Sequence, residues 1–195
     1  MNKRKINLLK HIVNLDAYGQ SPDFIGYYEA DPQGNREEQA IDLFIDFFSG
    51  KINECILICS VTQSVFTEDS FTDKRKRIIK SLVDKGWFEM DKEDEAVQRD
   101  FNTFTLNQDD TEDIRTVCRL VSDNCTYGHV FFLWEKDQLV VYPHEEIGFG
   151  VLAPPGTEGE SVGIDFLSKA AETGIFETDL RRTLLYDPFL SRQVA

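Results

Sequence analysis

The residues able to do chemistry in this chain are few and spread out. Its three histidines are His11, His129 and His144. His144 begins a His-Glu-Glu run inside "VVYPHEEIGFGVLAPPG", Val140 to Gly156. An imidazole next to two carboxylates offers the atoms of a divalent metal site or of a general acid–base pair. The spacing completes neither. A helical HExxH motif places a second histidine one turn further on, and none follows His144. His129 sits on the other side of an expected hairpin. If those strands pair, His129 and His144 approach each other, with Glu145 or Glu146 as a third ligand. That arrangement is the metal alternative. The spacing itself demands no metal, and no cofactor is expected.

Nucleophilic catalysis needs a nucleophile, a base and an orienting group within hydrogen-bond reach. No GxSxG elbow and no Rossmann GxGxxG occurs, and "GFG" and "GTEGES" lack the strand-turn-helix setting and the lysine of a phosphate loop. Cys55, Cys59, Cys118 and Cys125 are not in paired CxxC spacing. They are expected to be free buried thiols, as suits a chain whose start has no apolar signal region. No catalytic residue is assigned.

The elements that would carry these residues can be read from periodicity. Ile6, Leu9, Ile12 and Val13 recur at helical spacing, which predicts a helix over 4–15. "DFIGYYEADPQGN" reads as a strand and a turn. Asn35 and Glu38 have capping-box spacing before the helix "REEQAIDLFIDFF", which turns Ala40, Phe44, Phe47 and Phe48 inward and stops at Gly50. "INECILICSVTQSVF" reads as a strand covered on both faces. A basic helix follows, with Ile78, Ile79, Leu82 and Val83 as its stripe and Gly86 as its stop. Its Lys74, Arg75, Lys76, Arg77 and Lys80 are read as a solvated face.

Residues 89–113 hold ten acidic residues against two basic ones, a net −8 of the chain's −14. Within them "RDFNTFTL" reads as a strand. "TEDIRTVCRLVSDN" then reads as a helix, with Ile114, Val117, Cys118 and Val121 inward, an acidic first turn suited to its dipole, and an end near Asn124. "HVFFLWE" and "QLVVYP" flank a Lys136–Asp137 turn. "IGFGVLA" adds a third strand after the His-Glu-Glu turn, a meander by hairpin logic. "PPGTEGES" reads as a loop, "IDFLSKAAETG" as a helix ended by Gly174, and "TDLRRTLLYDPFLSRQ" as a last helix broken near Pro188. The fold class is therefore α+β: a mixed or mainly antiparallel sheet with a β-meander in the C-terminal half and helices packed on it. One domain over 1–195 is expected, with a possible subdivision near 89–100.

Charge narrows the function. A net −14 repels phosphate backbones and anionic membrane surfaces, so direct nucleic-acid and membrane binding are not expected. No stretch approaches the apolar length of a membrane span, and a cytoplasmic location is the default. The same field draws in a basic partner. The leading expectation is a non-enzymatic acidic module that binds a protein with a basic surface, as an inhibitor or immunity-type protein neutralising a toxin or nuclease. Bacterial immunity proteins and DNA-mimic nuclease inhibitors are similar in size and composition, though no motif is shared. Two contact surfaces are expected. One is the hairpin tip Tyr142, His144, Glu145 and Glu146 with Trp134 nearby. The other is the acidic stretch Asp91 to Asp113, with Asp109, Asp110, Glu112 and Asp113 as its contact residues. The alternatives are a small hydrolase or metal-dependent enzyme centred on His144, and a non-catalytic oligomeric accessory protein whose acidity serves solubility.

Overall fold

The computed structural model describes residues 3–31, 35–63, 73–89, 101–123 and 126–181. The expectations that fall on 90–100, on Asn124 and Cys125, on the side chains of Lys74 to Ile78, and on residues beyond 181 lie outside the described residues.

Helix α1 spans Lys3–Ile12 and is followed by a short 3-10 turn over Tyr18–Gln20. Strand β1 (Phe24–Glu29) and helix α2 (Arg36–Phe48) come next, then β2 (Cys55–Cys59), β3 (Val61–Gln63), α3 (Asp73–Asp84), β4 (Phe88–Glu89) and β5 (Asn102–Thr105). The chain continues with α4 (Thr111–Ser122), β6 (Thr126–Tyr127), the meander β7 (Val130–Trp134), β8 (Leu139–His144) and β9 (Gly148–Leu152), then α5 (Glu158–Glu172) and β10 (Glu177–Leu180). Seven strands form one antiparallel sheet in the order β10-β1-β9-β8-β7-β2-β5. β4, β3 and β6 form a small second sheet. The fold is α+β, with helices packed on the sheet.

Strand alternation divides the sheet into two dissimilar faces. One carries Leu57, Phe132, Trp134, Val141, Phe149 and Val151, and packs against α2, α4 and α5 in the larger core. Most of the described phenylalanines go here: Phe44 stacks on Phe149 at 4.6 Å, and Phe48 stacks on Trp134 at 4.4 Å. Cys55, Cys59 and Cys118 are buried free thiols on this side. Burial pushes the Cys59 thiol up to about 12, so it stays protonated and unreactive at neutral pH. The opposite face carries Ile56, Ile58, Phe131, Leu133, Val140, Tyr142 and Leu152. Its cover is thinner, chiefly Leu9, Ile12 and Val13 from α1 and the segment after it.

Several expectations need correcting. Asn35 precedes α2 but makes no side-chain capping bond. Its partner Glu38 turns instead to α4, where Arg119 Nη2 donates to Glu38 Oε2 at 2.6 Å. Gly50 does not stop α2, because the chain tightens into a 3-10 turn from Ser49 to Glu54. The β2 run breaks at Ser60, whose amide bonds to the His129 carbonyl at 3.0 Å, and the next residues leave for the second sheet. Val83, placed on the inward stripe of α3, is 36% exposed. The "PPGTEGES" segment is not all loop. Thr157 caps α5 by accepting from the Glu160 amide at 3.2 Å, and the helix is under way by Glu158. "TDL" is strand rather than helix, since β10 pairs with β1 at Gly26↔Leu180 and Tyr28↔Thr178. Among the described residues, no helix is long and apolar enough to cross a membrane.

Candidate functional site

The hairpin at the His-Glu-Glu run is built from register. β8 and β9 pair from Val140↔Leu152 to His144↔Gly148. His144 is thus the last residue of a strand, not part of the turn. The turn itself is Glu145 to Ile147, closed by Ile147 in a left-handed conformation (φ 54°). Alternation along β8 sends Val140, Tyr142 and His144 to the thinly covered face. Tyr142 is only 6% exposed. Its ring lies over Gly150 of β9, where the missing side chain leaves room for it. Gly148, two residue pairs further, meets the Tyr28 backbone so closely that no Cβ fits.

Aromatic rings continue across this face. Tyr18, from the turn after α1, stands edge-on to Tyr142 at 4.7 Å and to Phe131 at 5.3 Å. Burial raises the Tyr18 phenol well above its ordinary value, so it keeps its proton, and its hydroxyl shares a hydrogen bond with His129 Nδ1. Burial also lowers the His129 imidazole below 6.5, which keeps the ring neutral.

His144 lies between Tyr142 (6.3 Å) and Tyr27 (6.0 Å, nearly perpendicular). Its Nε2 is 3.2 Å from the Tyr28 carbonyl oxygen. A carbonyl can only accept, so the ring proton resides on Nε2. Burial lowers the imidazole below 6.5, leaving the ring neutral at pH 7. Nδ1 therefore holds a lone pair. It is buried and has no hydrogen-bond partner in the structure. Such an unspent acceptor costs about 1–3 kcal/mol of lost solvation.

These side chains border a cleft of about 510 Å³, walled by Tyr18, Phe24, Tyr27, Tyr142, His144 and Arg181. Arg181 is held in place: its guanidinium lies 5.2 Å over the Phe24 ring, Nε donates to Asp179 at 3.1 Å, and Nη1 donates to the Gly19 carbonyl at 3.3 Å. Glu145 and Glu146 border the same cleft and also a second depression of about 390 Å³, where Glu29, Asp31 and Glu177 join them. Crowding of like charge shows in Glu29. Desolvation first, then the Glu146 carboxylate beside it, then Glu177 and Asp179, raise its carboxyl above 4.5. Among the described residues, no lysine or arginine forms an ion pair with Glu29, Glu145, Glu146 or Glu177.

The remaining expected residues lie elsewhere. Trp134 is not near the hairpin tip. It pairs with Leu139 at the opposite end of β8, is 2% exposed, and donates from Nε1 to the Lys51 carbonyl at 3.0 Å. Asp109, Asp110, Glu112 and Asp113 follow β5 off that same far end. Asp110 is buried and closes a capping box with Asn107. Lys85 pairs with both Asp110 and Asp113, and Ser81 Oγ donates to Asp113 at 2.7 Å. Glu112 is exposed, 3.7 Å from Arg115. Asp109 is exposed. Much of this acidic group thus serves the start of α4 and its contact with α3. Among the described residues, no group of three or more His, Cys, Asp or Glu side chains is placed to hold a metal. His129 and His144 are bound to Tyr18 and to Tyr28 respectively.

Sequence reasoning did not single out Tyr18, Phe24, Tyr27, Arg181, Glu29 or Glu177. The signal for Tyr27 was present: in the strand "FIGYYE", alternation turns Tyr28 into the larger core and Tyr27 to the other face. No protein-family model matches the chain, and neither a curated protein nor a solved structure matches it.

Proposed function

We propose that this protein is a non-catalytic binding module that engages a basic protein partner, of the kind a cationic toxin or nuclease presents, through the open end of its sheet. One observation carries the reading. The aromatic cleft and the carboxylate-lined depression share Glu145 and Glu146, so apolar anchoring surface and unneutralised negative charge adjoin. Interfaces draw their energy from a few buried aromatic and charged anchors, while complementary charge sets the encounter rate. This surface supplies both, and the chain's −14 adds long-range attraction.

The test compares the native chain with a variant carrying Glu29→Gln, Glu145→Gln, Glu146→Gln and Glu177→Gln. A partner captured by the native protein is identified, purified, and titrated calorimetrically against both at rising salt. The expected partner is basic, loses affinity with salt, and binds the variant at least about tenfold more weakly. Equal affinity for both chains, or indifference to salt, would overturn the reading.

A hydrolase centred on His144 draws on the same imidazole, since a neutral ring with a free Nδ1 has the form of a general base. The described lining of the cleft offers tyrosine hydroxyls but no serine, threonine, cysteine or lysine side chain. Turnover of ester or phosphoester substrates that disappears in His144→Phe would favour this second reading.

A further inference from the structure

The groups around the cleft are of one kind, and Glu146 already shares a hydrogen bond with the Glu29 carboxyl. His144 Nδ1 is an acceptor without a donor, Glu145 and Glu146 are carboxylates, and Tyr18, Tyr27 and Tyr142 present ring faces or edges. The cleft's own cation does not complement them. Arg181 is directed to Asp179, to the Gly19 carbonyl and to the Phe24 ring, and forms no ion pair with Glu145 or Glu146 among the described residues. What is missing is a planar donor with positive charge. A guanidinium has that form: five N–H donors in a rigid fork, a face that stacks on aromatic rings, and weaker hydration than an ammonium.

We propose that the cleft is a site for an arginine side chain of the partner, with the guanidinium lying against Tyr27 and Tyr142 and donating to His144 Nδ1 and the Glu146 carboxylate. This rests on the binding reading given above and names the group it recognises. Nδ1 is buried, so a donor reaches it only by displacing a neighbour, and the rings of Tyr27 and Tyr142 flank the imidazole. Tyr27 is the ring suited to move: it is half-exposed, stands edge-on to the imidazole, and its hydroxyl makes no hydrogen bond among the described residues. Opening it exchanges a ring edge for a charge-assisted hydrogen bond.

The experiment is an NMR titration of protein labelled with ¹⁵N at histidine, using N-acetyl-arginine amide, its uncharged isostere N-acetyl-citrulline amide, and N-acetyl-lysine amide. The arginine derivative should move the His144 Nδ1 resonance saturably. The citrulline derivative should not, and the lysine derivative should bind more weakly. In a parallel titration followed by backbone amide shifts, Glu146→Gln and His144→Phe should each weaken arginine binding about tenfold. Glu146 is an exposed turn residue, so its variant keeps the test informative if His144→Phe disturbs the strand. No saturable shift, an equal response to citrulline, tighter binding of lysine, or unchanged affinity in Glu146→Gln would each overturn the proposal. The two readings fail separately. A basic partner that needs the four carboxylates while free arginine derivative does not bind would sink the arginine site alone. Arginine binding without any carboxylate-dependent partner would sink the broader reading.

Discussion

The ring of Tyr142 fills the space that a side chain at residue 150 would need. A Cβ built on Gly150 would overlap both Cζ and the hydroxyl of Tyr142. Tyr142 is nearly buried and wedged against Tyr18 and Phe131, so it has little room to yield. Gly150→Ala is expected to destabilise the protein by about 1–3 kcal/mol, the usual cost of overpacking. Urea denaturation measures it. Tyr142→Ala has its own cavity cost, but the double variant should cost less than the sum of the two single variants, because the small side chain vacates the contested space. A fully additive double variant would show that the clash is not between these two residues.

Tyr18 and His129 are 111 positions apart in sequence and joined by a hydrogen bond. Tyr18→Phe keeps the ring contacts with Phe131 and Tyr142 and removes only the hydroxyl. It leaves a partly buried imidazole nitrogen unpaired, at a cost of about 1–3 kcal/mol. His129→Leu should cost a similar amount. Their combination should cost less than the sum, and a double-mutant cycle on unfolding free energies reads the coupling.

Acid should act through the histidines before it acts through the carboxylates. Burial lowers both His129 and His144 below 6.5 in the folded state. Above 6.5 both states hold neutral rings and no penalty arises. As pH falls below 6.5 the unfolded chain takes up these protons while the folded chain resists, so folded-state stability declines. Urea midpoints recorded from pH 7.5 downward should therefore fall on passing through about pH 6, and the double variant His129→Phe, His144→Phe should flatten that stretch of the curve. A native curve that is already flat there would contradict the assignment of buried neutral rings.

Glu29 should behave in the opposite sense. Its carboxyl is raised above 4.5 by desolvation and by the neighbouring Glu146, Glu177 and Asp179. A raised folded value means that the folded chain binds the proton first. The ionised pair therefore works against folding at neutral pH, and that penalty shrinks as pH drops through the raised value toward 4.5. Glu29→Gln is expected to raise the melting temperature at pH 7, and the gain should vanish near pH 4.5. A variant less stable than the native chain at pH 7 would show that Glu29 ionisation is not a burden.

Local rules were enough wherever an element's partner lay nearby in the chain. Leu9, Ile12 and Val13 announced α1 by spacing alone. The β7–β8–β9 meander followed from alternation and turn residues, because each strand pairs with the next. "TDLRRTLL" suits a helix in isolation, and only pairing with β1, some 150 residues earlier, makes β10 a strand. The capping spacing of Asn35 and Glu38 was real, but two arginines on α4 compete for Glu38 and win. By contrast the Thr157–Glu160 signature was genuine, and the glycines around it disguised it as loop. The candidate site shared this mixture. His144, Glu145 and Glu146 were visible as a run. The residues that make them a cleft arrive from β1, the Tyr18 turn and the end of β10, which nothing in the local spacing connects.

The carboxylates of β10 bear on how copies of this chain treat one another. β10 is the outermost strand of the described sheet, and an outermost strand is a template for further pairing. Two copies docking these strands antiparallel about a two-fold axis would set Glu177 of one against Asp179 of the other, or, in a shifted register, one of the two against its own copy. Like charges directly opposed across a ladder destabilise it. The residues that crowd the acidic depression would thereby also act as gatekeepers against end-to-end polymerisation. Neutralising them to weaken partner binding would be expected to bring a second phenotype, growth of sheet-linked oligomers with concentration.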